Sequence, residues 1–414
     1  MDVSPILNRI LYITYDGLTD PLGQAQVIPY VEGLADKGYD ITIMSYEKPD
    51  RYELFQKQIA ERLELRKISW KAMRYHKRFS LFATLYDLLR GFSYLVFAIP
   101  KKKIKIIHCR SYIASILGIV FKKLYGAKFI FDMRGFWADE RVEGNVFKKG
   151  LIYKFFKWLE KLFLLNADAT ISLTSNAISE IGSWKYMTAE KMVKLHHITT
   201  CCDINQFKHA FTYNIKEDKL NLPITFLYVG SIGPWHSPDK IKSFIHFVYN
   251  YLPFSKFKMI VNWGADHMVE YIQEKGYDSS RFSVESLTHS QIPDAIKGAD
   301  IGFFFIPPTY WKKGCSPTKM GEMLAAGIPV ITGHSIGDVD ELVNQNDIGF
   351  ILKEFNDKEY KKAVDFVLGQ LKNNKNDLLQ KCLAVAEDYY SLQKGIESYN
   401  TIYQSLLKPA KNLS

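Results

Sequence analysis

Apolar runs of strand length alternate with stretches of helical spacing along most of the first half of the chain. Residues 9–15 form an apolar strand, and 25–37 places Val27, Tyr30, Val31 and Leu34 at helical intervals. A second strand follows at 40–46 and a weaker third at 63–69. After an apolar helix at 80–99 come strands at 104–109, 128–131, 169–173 and 193–198. Helices at 112–124, 147–165 and 175–184 lie between them. This order predicts an α/β domain with a parallel, doubly wound sheet. Residues 204–222 are polar and poorly periodic and predict a linker. A second alternating series has strands at 224–229, 258–262, 282–285, 301–306 and 329–332, and 376–407 has a helical pattern. The layout is two Rossmann-like α/β halves, 1–203 and 223–392. Two such halves facing one another would place a ligand cleft at their strand C-termini.

The run 80–99 is the most hydrophobic of its length, which raises a membrane span. Asp87 and Arg90 sit near its middle, and each costs roughly 2.5–3.5 kcal/mol at a bilayer centre. The apolar residues return only about 0.3–0.6 kcal/mol each, so insertion comes out near neutral. A buried core helix ending at Pro100 is the expectation.

Composition adds three bounds. The 414 residues suffice for two or three sizeable cores, and 47% hydrophobic with 24% charged residues is ordinary for a folded chain. A net charge of +10 favours an acidic partner such as nucleotide phosphates or anionic headgroups. Nucleic acid has nothing but that charge in its favour. The five cysteines (Cys109, Cys201, Cys202, Cys315 and Cys382) lack any metal-ligand spacing and read as reduced thiols of a cytoplasmic protein. The chain opens almost directly into a strand, with no secretory signal in view.

The chemistry concentrates in 314–332, GCSPTKMGEMLAAGIPVIT. Ser316 and Pro317 predict an N-cap and first helical residue, and Gly327 ends the helix. Lys319 is out of place, because a cation in the first turn meets the positive end of the helix dipole. An anion bound there by Lys319 and the free N–H groups, Thr318 among them, resolves the conflict. Glu322, three residues on, shares the face and suits the two hydroxyls of a ribose. The plain alternative is a surface helix with a Lys–Glu pair.

This stretch resembles the donor-binding helix of retaining nucleotide-sugar glycosyltransferases of the two-domain GT-B fold, the family numbered four. Glu322, Ala325, Ala326, Gly327, Pro329 and Val330 match its pattern, while the first Glu of its pair is replaced by Gly314. YVGSIGPWHSPDK resembles the family's glycine loop through Gly230 and Gly233, but Ser231 and Ser237 stand where relatives carry Arg and Lys. The resemblance implies a GT-B fold with a last helix, 393–414, returning to the first domain through Ile396, Tyr399, Ile402 and Tyr403. It implies sugar transfer from a nucleotide-diphosphate sugar with retention, without an obligatory metal or cofactor. Donor contacts fall on Gly230, Ser231, Gly233, Asn262, Ser316, Thr318, Lys319 and Glu322. Residues 287–290 would line the base through their backbone, and Lys240 is a reserve cation.

In the first half, YDGLTDPLGQAQVIPY sets Gly23 and Gln24 between a strand and a helix, as a ligand loop or as a tight turn. DMRGFWADER crowds charge at the end of a parallel strand, where clefts open. There Asp132, placed where relatives have His, would take or orient the acceptor proton, and Arg134 would hold an anionic group. The alternative is an internal network of Arg134, Asp139, Glu140 and Arg141. Arg110 joins either version. The expected catalytic residues are thus Asp132, Arg134 and Lys319, with acceptor contacts at Gly23, Gln24, Arg110 and Glu140.

The acceptor is expected to be a glycan or a lipid-linked hydroxyl at the inner face of a membrane. Cations flank the 80–99 run at Arg74, His76, Lys77, Arg78 and Lys101 to Lys103, beside Phe79. Lys154, Lys157 and Lys161 recur with Phe155 and Trp158 on a helix that reads either as a solvated face or as a membrane contact. Asp338-Val339-Asp340 reads as a helix start rather than a metal motif, and His196-His197 point to opposite strand faces. Two rivals remain: a nucleotide-sugar 2-epimerase of this architecture, and an inactive nucleotide-sugar-binding subunit.

Overall fold

The computed structural model describes residues 8–76, 80–98, 104–216, 223–233 and 237–408. Lys77, Arg78, Phe79, Pro100, Lys101, Lys102 and Lys103 lie outside these residues, as do 217–222 and 409–414. The chain divides into one unit of Met1–Ile198 with Leu392–Ser414 and a second of Thr199–Ser391.

In the first unit seven parallel strands form one sheet. They are β1 (Arg9–Thr14), β2 (Asp40–Glu47), β3 (Ser69–Arg74), β4 (Ile106–Arg110), β5 (Lys128–Asp132), β6 (Ala169–Ser172) and β7 (Leu195–His197). Their order is β3-β2-β1-β4-β5-β6-β7. Residues 10–14 of β1 and all of β4 are buried, which is why β1 reads as a near-continuous apolar run rather than an alternating one. The chain adds strands outward on one side of β1 and then returns to pair β4 with it. That reversal makes the carboxyl ends of β1 and β4 the switch point, where doubly wound folds place ligands.

Several expectations change here. The weak strand expected at 63–69 begins only at Ser69, because 63–64 close an unanticipated helix, Pro49–Glu64, that buries little beyond Ile59 and Leu63. The helix expected at 25–37 is two, Pro21–Gln26 and Ile28–Asp36, split at Val27 (φ −122°, ψ −59°) beside Pro29, whose nitrogen carries no N–H. The 80–99 run does form a helix, Ser80–Ala98, but not a core one. Phe82 is 78% exposed and Phe97 82%, with Leu85, Tyr86 and Leu89 also open, so the outer face is apolar as well as the inner. Among the described residues no helix is long and apolar enough to cross a membrane.

The last helix, Leu392–Leu407, belongs to the first unit, with Ile396, Tyr399, Ile402 and Tyr403 buried. A Cβ on Gly33 would lie 2.2 Å from the Ile396 side chain, so glycine sets how closely this helix docks.

The second unit has six parallel strands: β8 (Thr225–Val229), β9 (Lys256–Ile260), β10 (Phe282–Glu285), β11 (Ile301–Phe304), β12 (Val330–Gly333) and β13 (Gly349–Leu352). The order β10-β9-β8-β11-β12-β13 puts its switch point between β8 and β11. Residues 204–222 are not a plain linker. Ile204–Lys216 is a helix of this unit, burying Ile204, Phe207 and Ala210, and Asn214 bonds Ala326 O and Gly298 N. Its apolar positions are real but thinly spread among polar ones, which hid the period.

Candidate functional site

The helix at the β8/β11 switch runs Thr318–Ala325 and follows Pro317 as its cap. Ser316 does not cap it. Its hydroxyl bonds Thr199 Oγ1 at 2.5 Å and Thr200 Oγ1 at 2.9 Å, so it fastens the entry segment instead. The first turn holds no acid, and Lys319 Nζ is buried without a hydrogen-bond partner. Tyr228 and Phe304 lie near it, ring centres 5.3 and 6.0 Å away. Burial pushes its pKa down to about 8, outweighing the pull of Cys315 and Glu322, and repulsion from Lys312 adds a smaller push in the same direction. Gly230 accommodates this ammonium. A Cβ there would fall 2.3 Å from Nζ, and the glycine's φ of +136° disfavours any other residue. An unpaired buried cation at a helix start, with a backbone cut away beside it, is a ready receptor for a phosphate.

Glu322, 5% exposed, points to a different neighbour. His289 Nε2 lies 2.9 Å from its Oε1. Besides the backbone of 287–290 expected to line the base, a side chain of that loop thus meets the carboxylate. The remaining donor candidates sit as follows. Ser231 offers its carbonyl to the Tyr228 hydroxyl at 2.7 Å. Gly233 lets the Trp263 ring approach, 2.6 Å from where a Cβ would be. Asn262 is exposed just beyond β9, and Thr318 opens the helix half-buried. The reserve cation Lys240 is engaged, its Nζ 3.8 Å from the Phe355 ring centre.

The first unit's switch point is built from register. Thr14 of β1 pairs Arg110 of β4, which pairs Asp132 of β5, so three polar side chains line one edge of the sheet. Arg110, 3% exposed, is salt-bridged to Asp16. Asp132, 1% exposed, accepts from the Tyr399 hydroxyl at 3.1 Å, with His108 Nε2 at 3.5 Å and Arg134 Nη1 at 3.9 Å. Burial alone would raise the carboxyl's pKa, but Arg134, His108 and Arg110 outweigh it and hold it below the usual carboxylate range. Burial likewise lowers the His108 pKa against the pull of Asp132. Arg134 occupies left-handed backbone at φ +57°, a conformation that costs a non-glycine residue energy.

The network foreseen among Arg134, Asp139, Glu140 and Arg141 has other partners. Asp139 accepts from Tyr153 at 2.8 Å and from Lys157 at 3.2 Å, and Arg141 lies over the Trp137 ring. Glu140 is half-buried in the helix Trp137–Glu143. Lys157 is thereby turned inward, away from the surface role shared with Lys154 and Lys161. Gly23 is explained within its own loop, since a Cβ would meet Gly17 O at 2.0 Å, and Gln24 Nε2 bonds Thr19 O. The loop closes around Glu47, which accepts from Leu18 N at 2.8 Å and Thr19 N at 3.0 Å. Glu47, His108, His289 and Tyr399 were all missed as site residues. Only Glu47, an acid ending an apolar strand, carried a signal that could have found it. Asp338 does begin a helix, Val339–Asn346, with its carboxylate on the Tyr389 hydroxyl. Among the described residues no three metal-ligating side chains cluster.

Residues 24–196 match the family model described as glycosyl transferase 4-like domain. Solved structures with the same fold include a sucrose-phosphate synthase from Thermosynechococcus elongatus, at 16% identity over 96% of this chain and 99% of that one, with a TM-score of 0.70. A glycosyltransferase from Rickettsia africae aligns at 14% identity over 98% and 100%, with a TM-score of 0.67. HepE of Anabaena, in complex with UDP and glucose, aligns at 13% over 96% and 99%, with a TM-score of 0.65. These likenesses show the GT-B fold. No curated protein matches the sequence.

Proposed function

We propose that this chain, whose residues 24–196 match the glycosyl transferase 4-like model and whose fold is GT-B, is a glycosyltransferase. It moves a sugar from a nucleotide-diphosphate sugar to an acceptor hydroxyl, with retention, in the assembly of a glycan or cell-envelope conjugate. The observation that carries this reading is the buried, unpartnered ammonium of Lys319 beside Gly230 at the second unit's switch point. As the bond from the sugar to the diphosphate breaks, negative charge grows on the leaving oxygen. Lys319 and the N–H groups opening Thr318–Ala325 meet that charge, with no obligatory metal in the scheme. Glu322 takes the ribose hydroxyls. HepE, which shares the fold, holds UDP and glucose. In the first unit Arg134 serves the acceptor, while Arg110 and Asp132, both too buried to meet it, act from behind, Arg110 holding Asp16 and Asp132 positioning Arg134 and Tyr399.

The deciding experiment is turnover of a panel of nucleotide sugars with and without glycan and lipid-linked acceptors, with product anomers assigned by NMR. Acceptor-dependent release of nucleoside diphosphate and a retained anomer are expected. Conversion of the donor without an acceptor points to epimerisation, and tight nucleotide binding with no turnover points to an inactive subunit.

The acceptor's setting is the inner surface of an anionic membrane. Two helices of the first unit support this. Ser80–Ala98 exposes Phe82, Leu85, Leu89 and Phe97, with Arg90 beside them. Leu151–Asn166 exposes Leu151, Phe155 and Trp158, with Lys154 and Lys161. Each cation near such a leaflet is worth about 1 kcal/mol. Co-flotation with phosphatidylserine vesicles at low salt is expected, and failure to co-float leaves a soluble acceptor.

A further inference from the structure

The loop after β10 is locked by its own side chains. Gln291 Oε1 accepts from Thr288 N at 2.9 Å and from Thr288 Oγ1 at 2.8 Å, forming a capping box around the turn His289–Gln291. That fixes the backbone from which His289 reaches Glu322. A carboxylate only accepts, so Nε2 is the imidazole nitrogen that carries the proton in this contact. Each carboxylate oxygen has two acceptor directions, so one imidazole N–H on Oε1 leaves capacity for both hydroxyls of a ribose. Glu322 projects from a helix whose Met320, Met323 and Leu324 are in the core, and its stem has little freedom. The imidazole settles the last torsion, the orientation of the carboxylate plane.

We propose that His289 is a positioning residue that holds the Glu322 carboxylate in the plane that takes a ribose diol, and so makes the site select ribonucleotides over 2′-deoxyribonucleotides. The inference rests on Glu322 being the ribose acceptor. Its signature is a selectivity rather than an affinity. Loss of a merely structural contact would weaken ribo- and deoxyribonucleotides alike, whereas tilting the carboxylate penalises only the ligand with two hydroxyls to place.

The test is calorimetric titration of the full chain with UDP, ADP and GDP and their 2′-deoxy counterparts, followed on the best binder. Wild type, Glu322→Ala, His289→Ala and His289→Gln are compared. A hydrogen bond to a charged group corresponds to a preference of about tenfold or more for the ribonucleotide in wild type. Glu322→Ala is expected to erase the preference, and His289→Ala to cut it to about two- to threefold, since the carboxylate remains but is no longer held. His289→Gln, whose amide N–H still donates, keeps most of it. If Glu322→Ala loses the preference while His289→Ala retains the wild-type ratio, His289 has no positioning role and this inference falls alone. If Glu322→Ala keeps the ratio, or no diphosphate binds, the ribose reading falls and takes the inference with it.

Discussion

The two switch points have one topology and opposite electrostatics. In the first unit each buried cation faces an acid: Arg110 has Asp16, and Arg134 has Asp132, which also receives Tyr399 from the last helix. In the second unit Lys319 has no hydrogen-bond partner, and the nearby carboxylate, Glu322, is turned to His289. A parallel doubly wound sheet supplies a crevice in both cases, and the side chains decide what each can hold. A self-neutralised edge suits an uncharged ligand such as a sugar hydroxyl. An edge with an uncompensated cation is incomplete until an anion arrives.

The contrast breaks most visibly at Asp132. Truncating one member of a buried ion pair strands the other, at a cost of about 3–5 kcal/mol. Asp132→Ala is therefore expected to lower unfolding stability in urea by about that amount and to loosen Leu392–Leu407, which loses the Tyr399 bond. Unchanged stability would mean that the first edge is not closed on itself. Lys319→Met should do the reverse. Its ammonium already bears an uncompensated desolvation cost, so an apolar side chain of similar length is expected to leave stability equal or higher. Its kcat is expected to fall about 10²- to 10³-fold, the usual loss for one transition-state donor. A variant that loses stability while keeping kcat would show Lys319 to be structural.

The fold was largely legible because strands buried on both faces announce themselves as apolar runs, and both halves repeat the same alternation. What escaped were elements with thin apolar faces. Pro49–Glu64 buries chiefly Ile59 and Leu63, and the four residues of β13 were too short to stand out. Ser80–Ala98 misled in the other direction, because hydrophobicity was read as burial when its outer face is also apolar. At the candidate site Lys319 was legible as a local conflict with the helix dipole, and the structure shows that conflict as a buried ammonium without a partner. His289 and Tyr399 were not, since each meets its carboxylate, Glu322 or Asp132, from a distant point in the chain, and no local pattern encodes such a meeting. Ser316 is not the helix cap, since its hydroxyl is engaged by those of Thr199 and Thr200.

The smallest expected effect is the most selective probe of the contrast. In the free protein Lys319 loses its proton near pH 8, because burial disfavours the charge. A bound diphosphate adds a nearby double negative charge and raises that pKa. The sign follows: the bound state holds the proton more tightly, so binding is at full strength below about pH 8. It weakens as pH rises from there towards the pKa of the complex, by up to about tenfold per pH unit. The diphosphate itself is already ionised in this window, its last pKa lying near 6. Calorimetry in buffers of different ionisation enthalpy is expected to show proton uptake on UDP binding that rises from near zero at pH 7 towards one proton above pH 8. In Lys319→Met the uptake should vanish and the affinity become flat from pH 7.5 to 9.5. A wild-type protein that binds UDP with no proton uptake across that range would show that its ammonium is not where the diphosphate sits.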